Sequence, residues 1–282
     1  MLYRSHIPAP PLAGFVENLW CLNDAPHHTR ERILPSGTIE LVVNLVEDEI
    51  RIYDPVHGDR CRRLSGAIVS GAYRGFFVVD TLEHASVIGV HFRPGGASPF
   101  LGVPAGALAD AHVDLDALWG RRAAELRERL CAAPTSERRF AVLEEALVAR
   151  LDRPPRRHGA VRGALDQLER TAVGVGDLAA RADLSHRRFI EIFGAEIGMT
   201  PKRFARVRRF QRALALARRA TSADWAGLAV AAGYCDQSHM IRDFVEFSGS
   251  SPADLHRHRG DRVKENHVVL GPAPEAAVAR RG

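Results

Sequence analysis

A pattern that occurs twice, about 50 residues apart, constrains the C-terminal half of this chain more than any other feature. One copy lies at Asp183–Phe193 and the other at Gly233–Phe244, and a Gly-x-x-Pro sequence follows each. In both copies apolar residues recur with helical spacing, a turn interrupts them, and a second apolar-periodic segment follows. The pattern predicts two helix-turn-helix units in one all-helical domain. The copies align at an offset of 50 up to the second helix, where the second copy is predicted to hold one extra residue.

The second helix of each unit is predicted to expose polar side chains. Phe189, Phe193, Met240 and Phe244 have the spacing of an inward face. The polar residues between them would face outward, where their donors and acceptors suit base edges in DNA. These base-reading candidates are Ser185, His186, Arg187, Arg188, Asp236, Gln237, Ser238, His239 and Arg242, with Asp243 as a further outward candidate. Ser185 is also placed to cap its helix.

A long basic helix is predicted between the two units. Thr200 and Pro201 suit a helix start, and residues 202–218 would extend about 25 Å at ~1.5 Å per residue. With the width of the units added, the two reading helices would lie about 34 Å apart, one turn of B-DNA. One chain could then reach two successive major grooves. The side chains expected at phosphates are Lys202, Arg203, Arg206 and Arg209.

The two halves of the chain differ in charge. Residues 1–150 hold 16 Lys and Arg against 19 Asp and Glu, a net −3. Residues 151–282 hold 23 against 15, a net +8. The imbalance favours a polyanionic partner for the C-terminal half.

A proline pair within charged residues marks the boundary between two domains. Residues 153–159 have the composition of a linker, because Pro154 and Pro155 disfavour helix on both sides. The predicted fold is therefore α+β with two domains: a β-rich domain at 1–152, an all-α domain at 160–258, and a disordered tail at 259–282.

The β-rich domain is expected to be a small barrel or sandwich with flanking helices. Short β-branched runs separated by Gly, Asp or Pro occupy most of residues 31–92. Leu115, Leu118, Trp119, Leu126 and Leu130 mark one following helix, and a second lies at 136–151. The apolar stripe of that second helix suggests a homodimer through the N-terminal half, or equally packing onto its own barrel.

Composition and motifs argue against several classes of protein. No apolar run reaches the roughly 18 residues of a membrane span, and the N-terminus lacks a secretory signal, so a cytoplasmic protein is expected. The 4 cysteines are scattered, which favours free thiols over a metal or disulfide framework. No nucleophile elbow, phosphate-binding loop or His-Glu-x-x-His is present, and we expect neither catalysis nor a cofactor.

His91 and Arg93 are the candidate effector-binding residues. They stand two apart at a strand end and so share one face, where they could contact a small anionic effector with help from the backbone of Gly95 and Gly96. A polar turn built for geometry alone is the alternative. His84 and His91 could instead bind a metal in a cupin-like barrel, but no His-x-His pair with a matching Glu supports this.

The C-terminal residues resemble the AraC/XylS-type double helix-turn-helix domain over about 160–258. The resemblance is carried by Gly233-Tyr234, Gln237-Ser238, Met240 with Phe244, and Gly249 with Pro252. Met240 stands where an aromatic residue is commoner, which conserves packing. The resemblance implies a transcriptional regulator whose partner is double-stranded DNA, with RNA polymerase as a further candidate partner.

The N-terminal half resembles a β-rich sensor domain found ahead of this DNA-binding unit in some relatives. Ile33–Val42 and Gly89–Ala97 carry that likeness, and it implies no particular ligand. Together the observations predict a sequence-specific DNA-binding regulator controlled by a small molecule at its N-terminal domain. The alternative is a cupin-like or DNA-modifying enzyme in the N-terminal barrel, targeted to DNA by the helical domain.

Overall fold

The computed structural model describes residues 2–23, 30–55, 57–58, 60–80, 86–151, 158–170, 173–220, 224–257 and 266–270. Its strands are β1 Leu2–His6, β2 Val16–Asn23, β3 Arg30–Ile33, β4 Glu40–Asn44, β5 Glu49–Tyr53, β6 Cys61–Ser65, β7 Ala67–Ser70, β8 Phe77–Asp80, β9 Ser86–Phe92, β10 His112–Asp114 and β11 His267–Leu270. Its α-helices are α1 Ser98–Leu101, α2 Leu115–Trp119, α3 Arg122–Ala132, α4 Ser136–Val148, α5 Gly159–Arg170, α6 Val175–Arg181, α7 His186–Ile197, α8 Pro201–Arg219, α9 Trp225–Ala231, α10 Gln237–Ser248 and α11 Pro252–Arg257.

Two antiparallel sheets and a group of helices form the N-terminal domain. One sheet has the order β1-β2-β9-β4-β7-β10 and the other the order β11-β3-β8-β5-β6. Helices α2, α3 and α4 pack on the outer face of the first sheet. The α+β class with a β-rich first domain and a helical second domain is therefore confirmed.

Strand alternation explains why the first sheet is apolar on both faces. Along β4, Leu41 and Val43 join the core beneath the helices, whereas Val42 packs with the residues between the two sheets. On β9, a Cβ at Gly89 would lie 2.4 Å from the indole of Trp20. Glycine at that position lets the Trp20 ring lie flat against the sheet, beside the space between the two layers.

Several boundaries differ from the sequence-based prediction. The single helix expected from Leu115 to Leu130 is two helices, because the chain turns at Gly120 with a positive φ of 59°. Strands β1 and β2 precede the region where strands were expected. The predicted linker lies almost wholly outside the described residues.

The predicted disordered tail contains a strand. Residues 267–270 form β11, which pairs antiparallel with β3 in the second sheet. The expectation of disorder is therefore wrong for these four residues, since they gain a complete set of strand partners from β3. The run of Val and Leu that forms the strand was short enough to be mistaken for tail sequence.

The helical domain is organised around α8. Aromatic side chains fill the space on either side of this helix: the ring centroids of Phe193 and Phe204 are 5.7 Å apart, and those of Phe210 and Phe244 are 5.0 Å apart. All four residues have no exposed surface. One unit thus packs on the first half of α8 and the other on the second half.

The two domains share one continuous hydrophobic core. A Cβ at Gly37 would lie 3.2 Å from the ring of Phe204, and one at Gly106 would lie 2.9 Å from the carbonyl oxygen of Gly194. The helical domain therefore rests directly on the loop after β3 and on the turn at 105–108. Helix α4 buries Phe140, Leu143 and Leu147 within the same chain, so its apolar stripe is covered without a second copy.

Candidate nucleic-acid interface

The two helix-turn-helix units have matching backbones at an offset of 50. Helices α6 and α9 each have seven residues. The chain then turns at Asp183 and Gly233, whose φ values are 54° and 87°. The following amide donates to a carbonyl of the first helix in both units, from Leu184 to Ala179 at 3.0 Å and from Tyr234 to Ala229 at 2.9 Å. A turn in the left-handed region is thus common to both units.

Each second helix begins with a side-chain cap. The hydroxyl of Ser185 accepts from the amide of Arg188 at 3.2 Å, and the carboxylate of Asp236 accepts from the amide of His239 at 2.6 Å. Helices α7 and α10 both have 12 residues. The extra residue of the second copy therefore lies in the turn before α10 and not in the helix, which corrects the predicted alignment.

The first turns of α7 and α10 carry exposed polar side chains. His186, Arg187 and Arg188 are exposed at the start of α7, while Phe189 behind them is buried. Gln237, Ser238 and Arg242 are exposed on α10, and His239 is half-buried. Ser185 and Asp236 are exposed but engaged as caps, so the base-reading candidates divide into residues that build the helix starts and residues that project from them.

The two arginines of α7 share a carboxylate. The Nε of Arg187 donates to Glu191 at 3.0 Å, and Arg188 lies 3.5 Å from the other oxygen of Glu191. The hydrogen bond from Arg187 lowers the pKa of Glu191 below its usual value. The side chain of Arg187 nevertheless keeps 91% of its surface exposed. An exposed ion pair of this kind is weak enough to exchange for a contact with DNA.

Three of the four predicted phosphate contacts are occupied by ion pairs inside the domain. Arg203 pairs with Glu246 and donates to the carbonyl of Arg74, and Arg206 donates to Asp243 at 2.6 Å. Arg209 lies 3.5 Å from the other carboxylate oxygen of Asp243. Lys202 is the exposed member of the four. Lys202 is thus exposed, whereas the other three cations are part-buried and hold α10 against α8.

Asp243 is the centre of this network and was misplaced by the sequence reasoning. The residue is 1% exposed, so it is not one of the outward side chains of α10. A carboxylate buried to this degree requires cationic partners, and Arg206 and Arg209 provide them. Its position three residues after Met240 and four before Phe247, both fully buried, was the signal that it belongs to the inner face.

An open groove of about 850 Å³ lies beside this network. Its charged lining consists of Lys202, Arg206, Arg209, Arg242, Asp243 and Glu246. Four cations face two carboxylates, so the groove keeps a net positive charge. Residues 173–175, which lead into α6, form the opposite wall. The groove therefore joins the surfaces of the two units into one basic face.

The N-terminal domain contains a cavity of about 210 Å³ between its two sheets. His91 lines it, with Nδ1 2.6 Å from Glu40 and Nε2 3.1 Å from the hydroxyl of Thr38. Arg93 is exposed, donates to the carbonyl of Ala13 at 3.0 Å, and is not part of the lining. His91 and Arg93 therefore do not lie together in the site for an anionic effector that the sequence suggested. The sequence reasoning missed Glu40 as a lining residue, although its place on β4 opposite His91 follows from strand pairing.

Among the described residues, no group of three or more His, Cys, Asp or Glu side chains has the arrangement of a metal site. His84, the second candidate metal ligand, lies outside the described residues. Cys21, Cys61, Cys131 and Cys235 are free thiols. In the part of the chain that the structure describes, no helix combines the length and apolar content needed to cross a membrane.

Comparisons with known proteins match the two domains separately. A helix-turn-helix domain family matches residues 178–258, and a domain of unknown function, DUF6597, matches residues 4–114. A search among curated proteins returned no relative that matches. The helix-turn-helix match begins in α6 and ends just after α11, so it spans both units and the helix between them.

Solved structures that are similar to this chain include the following three. A probable AraC family transcriptional regulator from Rhodopseudomonas palustris CGA009 is 23% identical, with 36% of this chain and 98% of that chain covered and a TM-score of 0.32. A transcriptional regulator with an AraC-type DNA-binding domain from Chromobacterium violaceum is 17% identical, with coverages of 36% and 92% and a TM-score of 0.33. ToxT from Vibrio cholerae strain SCE256, solved with an unsaturated fatty acid, is 8% identical, with coverages of 93% and 97% and a TM-score of 0.47.

All three TM-scores are below 0.5, so the nature of the C-terminal domain is judged from the helix-turn-helix match and from the geometry of the units. That geometry consists of two equivalent turns, two capped 12-residue helices and one 19-residue helix between them. Residues 178–258 therefore form a DNA-binding domain of the helix-turn-helix kind, and this domain resembles that of AraC/XylS-type transcriptional regulators.

Proposed function

We propose that this regulator reads DNA as a single chain, with α7 and α10 in two successive major grooves of one duplex. The observation that carries the proposal is the equivalence of the two helix starts, each capped and each presenting exposed polar side chains. Helix α8 separates them and has 19 residues, or about 28 Å at ~1.5 Å per residue. Adding the width of the units brings the reading helices to about the 34 Å period of B-DNA.

Within this arrangement the exposed side chains have distinct roles. Arg187 and Arg188 carry forked donors suited to the O6 and N7 atoms of guanine, and Gln237 has the donor and acceptor pair suited to adenine. His186, Ser238, His239 and Arg242 complete the two reading surfaces. Lys202 contacts phosphate at the edge of the basic groove. Ser185 and Asp236 hold the helix starts in place rather than selecting bases.

The N-terminal domain is proposed to bind a small-molecule effector in the cavity between its sheets, without catalysis. Support comes from the position of that cavity between the two sheets and from the loop at 34–38, which lines the cavity and also contacts α8 of the DNA-binding domain. A regulator of this kind acts on the chromosome, so we place it in the cytoplasm. RNA polymerase and a second copy of the chain remain proposed partners, although α4 supplies no free apolar face for the latter.

Binding-site selection on single variants tests the two-groove arrangement. Arg187→Ala should relax base preference in one half-site and Gln237→Ala in the other, about one helical turn away. Each change should cost about 1–3 kcal/mol of binding free energy on the preferred site. Affinity of the wild-type protein should fall steeply as salt concentration rises, because phosphate contacts release counterions.

Arg121→Ala is a matched control, because Arg121 has 92% of its side chain exposed and also pairs with a Glu four residues later. It lies on the N-terminal domain, before α3, and should leave base preference and affinity unchanged. The two-groove model would be wrong if the Arg187 and Gln237 variants altered the same base positions, or if neither altered any.

A further inference from the structure

The cavity of the N-terminal domain has two adjoining parts. The outer part, of about 210 Å³, and the inner part, of about 80 Å³, share Trp20, Glu40, Phe77 and His267 as lining residues. Together they are smaller than the ~300–1,000 Å³ that drug-sized ligands fill. A fitting ligand is therefore a small molecule.

The charged lining of the cavity is anionic. Glu17, Glu31 and Glu40 line its two parts, together with His91 and His267. Among the residues that the structure describes, no Lys or Arg belongs to the lining of either part. With both histidines protonated the three carboxylates still leave one net negative charge, and with both neutral they leave three.

Each histidine already faces a carboxylate of its own. The Nδ1 atom of His91 lies 2.6 Å from Glu40, and the Nδ1 atom of His267 lies 2.6 Å from Glu31. Glu17 lies 3.6 Å from the other nitrogen of His91 and keeps 49% of its side chain exposed. A cationic group on a ligand would thus meet carboxylate, whereas an anionic group would meet repulsion from it.

The uncharged part of the lining favours the same kind of ligand. Trp20, Tyr73 and Phe77 present aromatic rings, whose faces attract cations. The inner part is walled by aliphatic side chains, which suit an apolar group attached to the cation. Among them are Val42, Ile50, Ile52, Ile68 and Val79.

We propose that this cavity binds a small organic amine carrying one compact apolar group, and that the bound amine alters the docking of the DNA-binding domain. The proposal rests on the proposed function of the chain as an effector-controlled regulator. The amine is held by Glu40 and Glu17 at the outer end, and the apolar group enters the space between the sheets.

One wall of the cavity is also the platform of α8. Leu34, Pro35, Ser36 and Thr38 line the outer part. On the far side of this loop the amide of Gln211 donates to the carbonyl of Pro35 at 2.6 Å. Within the same loop, Gly37 has a φ of 80° and lies against the ring of Phe204. A ligand that displaces this loop therefore displaces the contact surface of α8.

A second wall links the cavity to the end of the chain. Asn266 and His267 line the outer part, and the carbonyl of Asn266 accepts from the amide of Leu34 at 2.8 Å. Strand β11 follows the last helix of the DNA-binding domain in sequence. The cavity is thus lined both by residues that precede the DNA-binding domain in the sequence and by residues that follow it. A bound ligand would therefore affect the positions of α8 and β11 together.

Binding to the full-length protein, measured by calorimetry in the absence of DNA, tests the ligand class. Benzylamine, benzyl alcohol and benzoate have nearly the same shape but differ in charge. Benzylamine is positively charged, benzyl alcohol is neutral and benzoate is negatively charged. Benzylamine should bind at least about 10-fold more tightly than the other two, and Glu40→Gln should remove that preference. Glu47→Gln, an exposed change outside the cavity, should leave it intact. Equal or tighter binding of benzoate, or no binding of benzylamine, would overturn the proposal.

DNA affinity with and without saturating benzylamine tests the transmission. The wild-type affinity should change several-fold, and Gln211→Ala should abolish the change while the amine still binds. An unchanged wild-type affinity in the amine-saturated protein would overturn the coupling. If the wild-type protein did not bind DNA in the absence of the amine, the proposed function would be refuted instead. The calorimetric result on the ligand class would not be affected.

Discussion

At the scale of single residues, burial decides which charged groups serve the fold and which serve the surface. Asp243 and Glu246 lie on the same helix and both pair with Arg206, but their side chains are 1% and 42% exposed. The exposed carboxylate of Glu246 is well solvated without Arg206, whereas the buried carboxylate of Asp243 depends on partners inside the protein, among them Arg206 and Arg209. The two carboxylates should therefore differ strongly in their contribution to stability.

Asp243→Ala should lower the free energy of unfolding by about 3–5 kcal/mol, because it leaves Arg206 and Arg209 partly buried without their shared carboxylate. Urea denaturation of the full chain measures the loss. Glu246→Ala is the matched control and should cost below about 1 kcal/mol. Equal losses in the two variants would show that the Asp243 network is not what holds α10 to α8.

His112 should make the stability of the N-terminal domain depend on pH. Burial, with a contribution from the charge of Arg62, lowers the pKa of His112 to about 3. The unfolded chain, with a histidine pKa of about 6.5, binds this proton more tightly. Unfolding thus takes up a proton between these values, and the free energy of unfolding falls as pH falls below about 6.5.

The expected slope is up to about 1.4 kcal/mol per pH unit from this one group. His112→Phe, which keeps an aromatic ring between Tyr73 and Phe77, should flatten the dependence between about pH 6.5 and about pH 5. The exposed His57, changed to Gln, serves as the control and should leave the slope as it is. An unaltered slope in the His112 variant would contradict the assignment.

At the scale of elements, the left-handed turn residue sets the direction of each reading helix. Asp183 and Gly233 occupy equivalent turns with positive φ, and only the second is a glycine. A Cβ at Gly233 would meet nothing closer than 3.7 Å, so the site is open. The cost of a side chain there is therefore conformational rather than steric.

Gly233→Ala should destabilise the protein by about 1–2 kcal/mol, the cost of a left-handed residue with a Cβ. Gly163→Ala is the opposite control, because Gly163 lies within α5 with open space around it and should stabilise by about 0.5–1 kcal/mol. Thermal unfolding of both variants measures the difference. A neutral Gly233→Ala would mean that the turn relaxes to another conformation.

At the scale of the whole molecule, the continuous core predicts that the two domains unfold together. Phe204 has no exposed surface and lies between the loop at Gly37 and the ring of Phe193. Its contacts belong to both domains at once. Neither domain can therefore separate without exposing apolar surface of the other.

Tryptophan fluorescence can follow each domain separately, because Trp20 and Trp119 lie in the first and Trp225 in the second. A variant that keeps only Trp20 and Trp119 and a variant that keeps only Trp225 should show the same denaturation midpoint. Phe204→Ala should lower both midpoints, at a cost of about 3–5 kcal/mol, whereas the half-exposed Leu216→Ala on the same helix should shift neither appreciably. Two well-separated transitions in the wild-type chain would contradict the common core.

The sequence by itself determined the features that depend on local pattern. The helix-turn-helix units, the capped start of α7, the turn at Gly233, the long middle helix and the β-rich first half all follow from periodicity and turn chemistry within about 20 residues. The partners of each charged side chain depend instead on residues far apart in the chain. For that reason the tertiary structure alone decided that Asp243 faces inward, that Arg206 and Arg209 belong to it, and that His91 meets Glu40 rather than acting with Arg93. The same holds for β11, whose four residues carry too weak a pattern to reveal a strand until β3 supplies the hydrogen bonds that stabilise it.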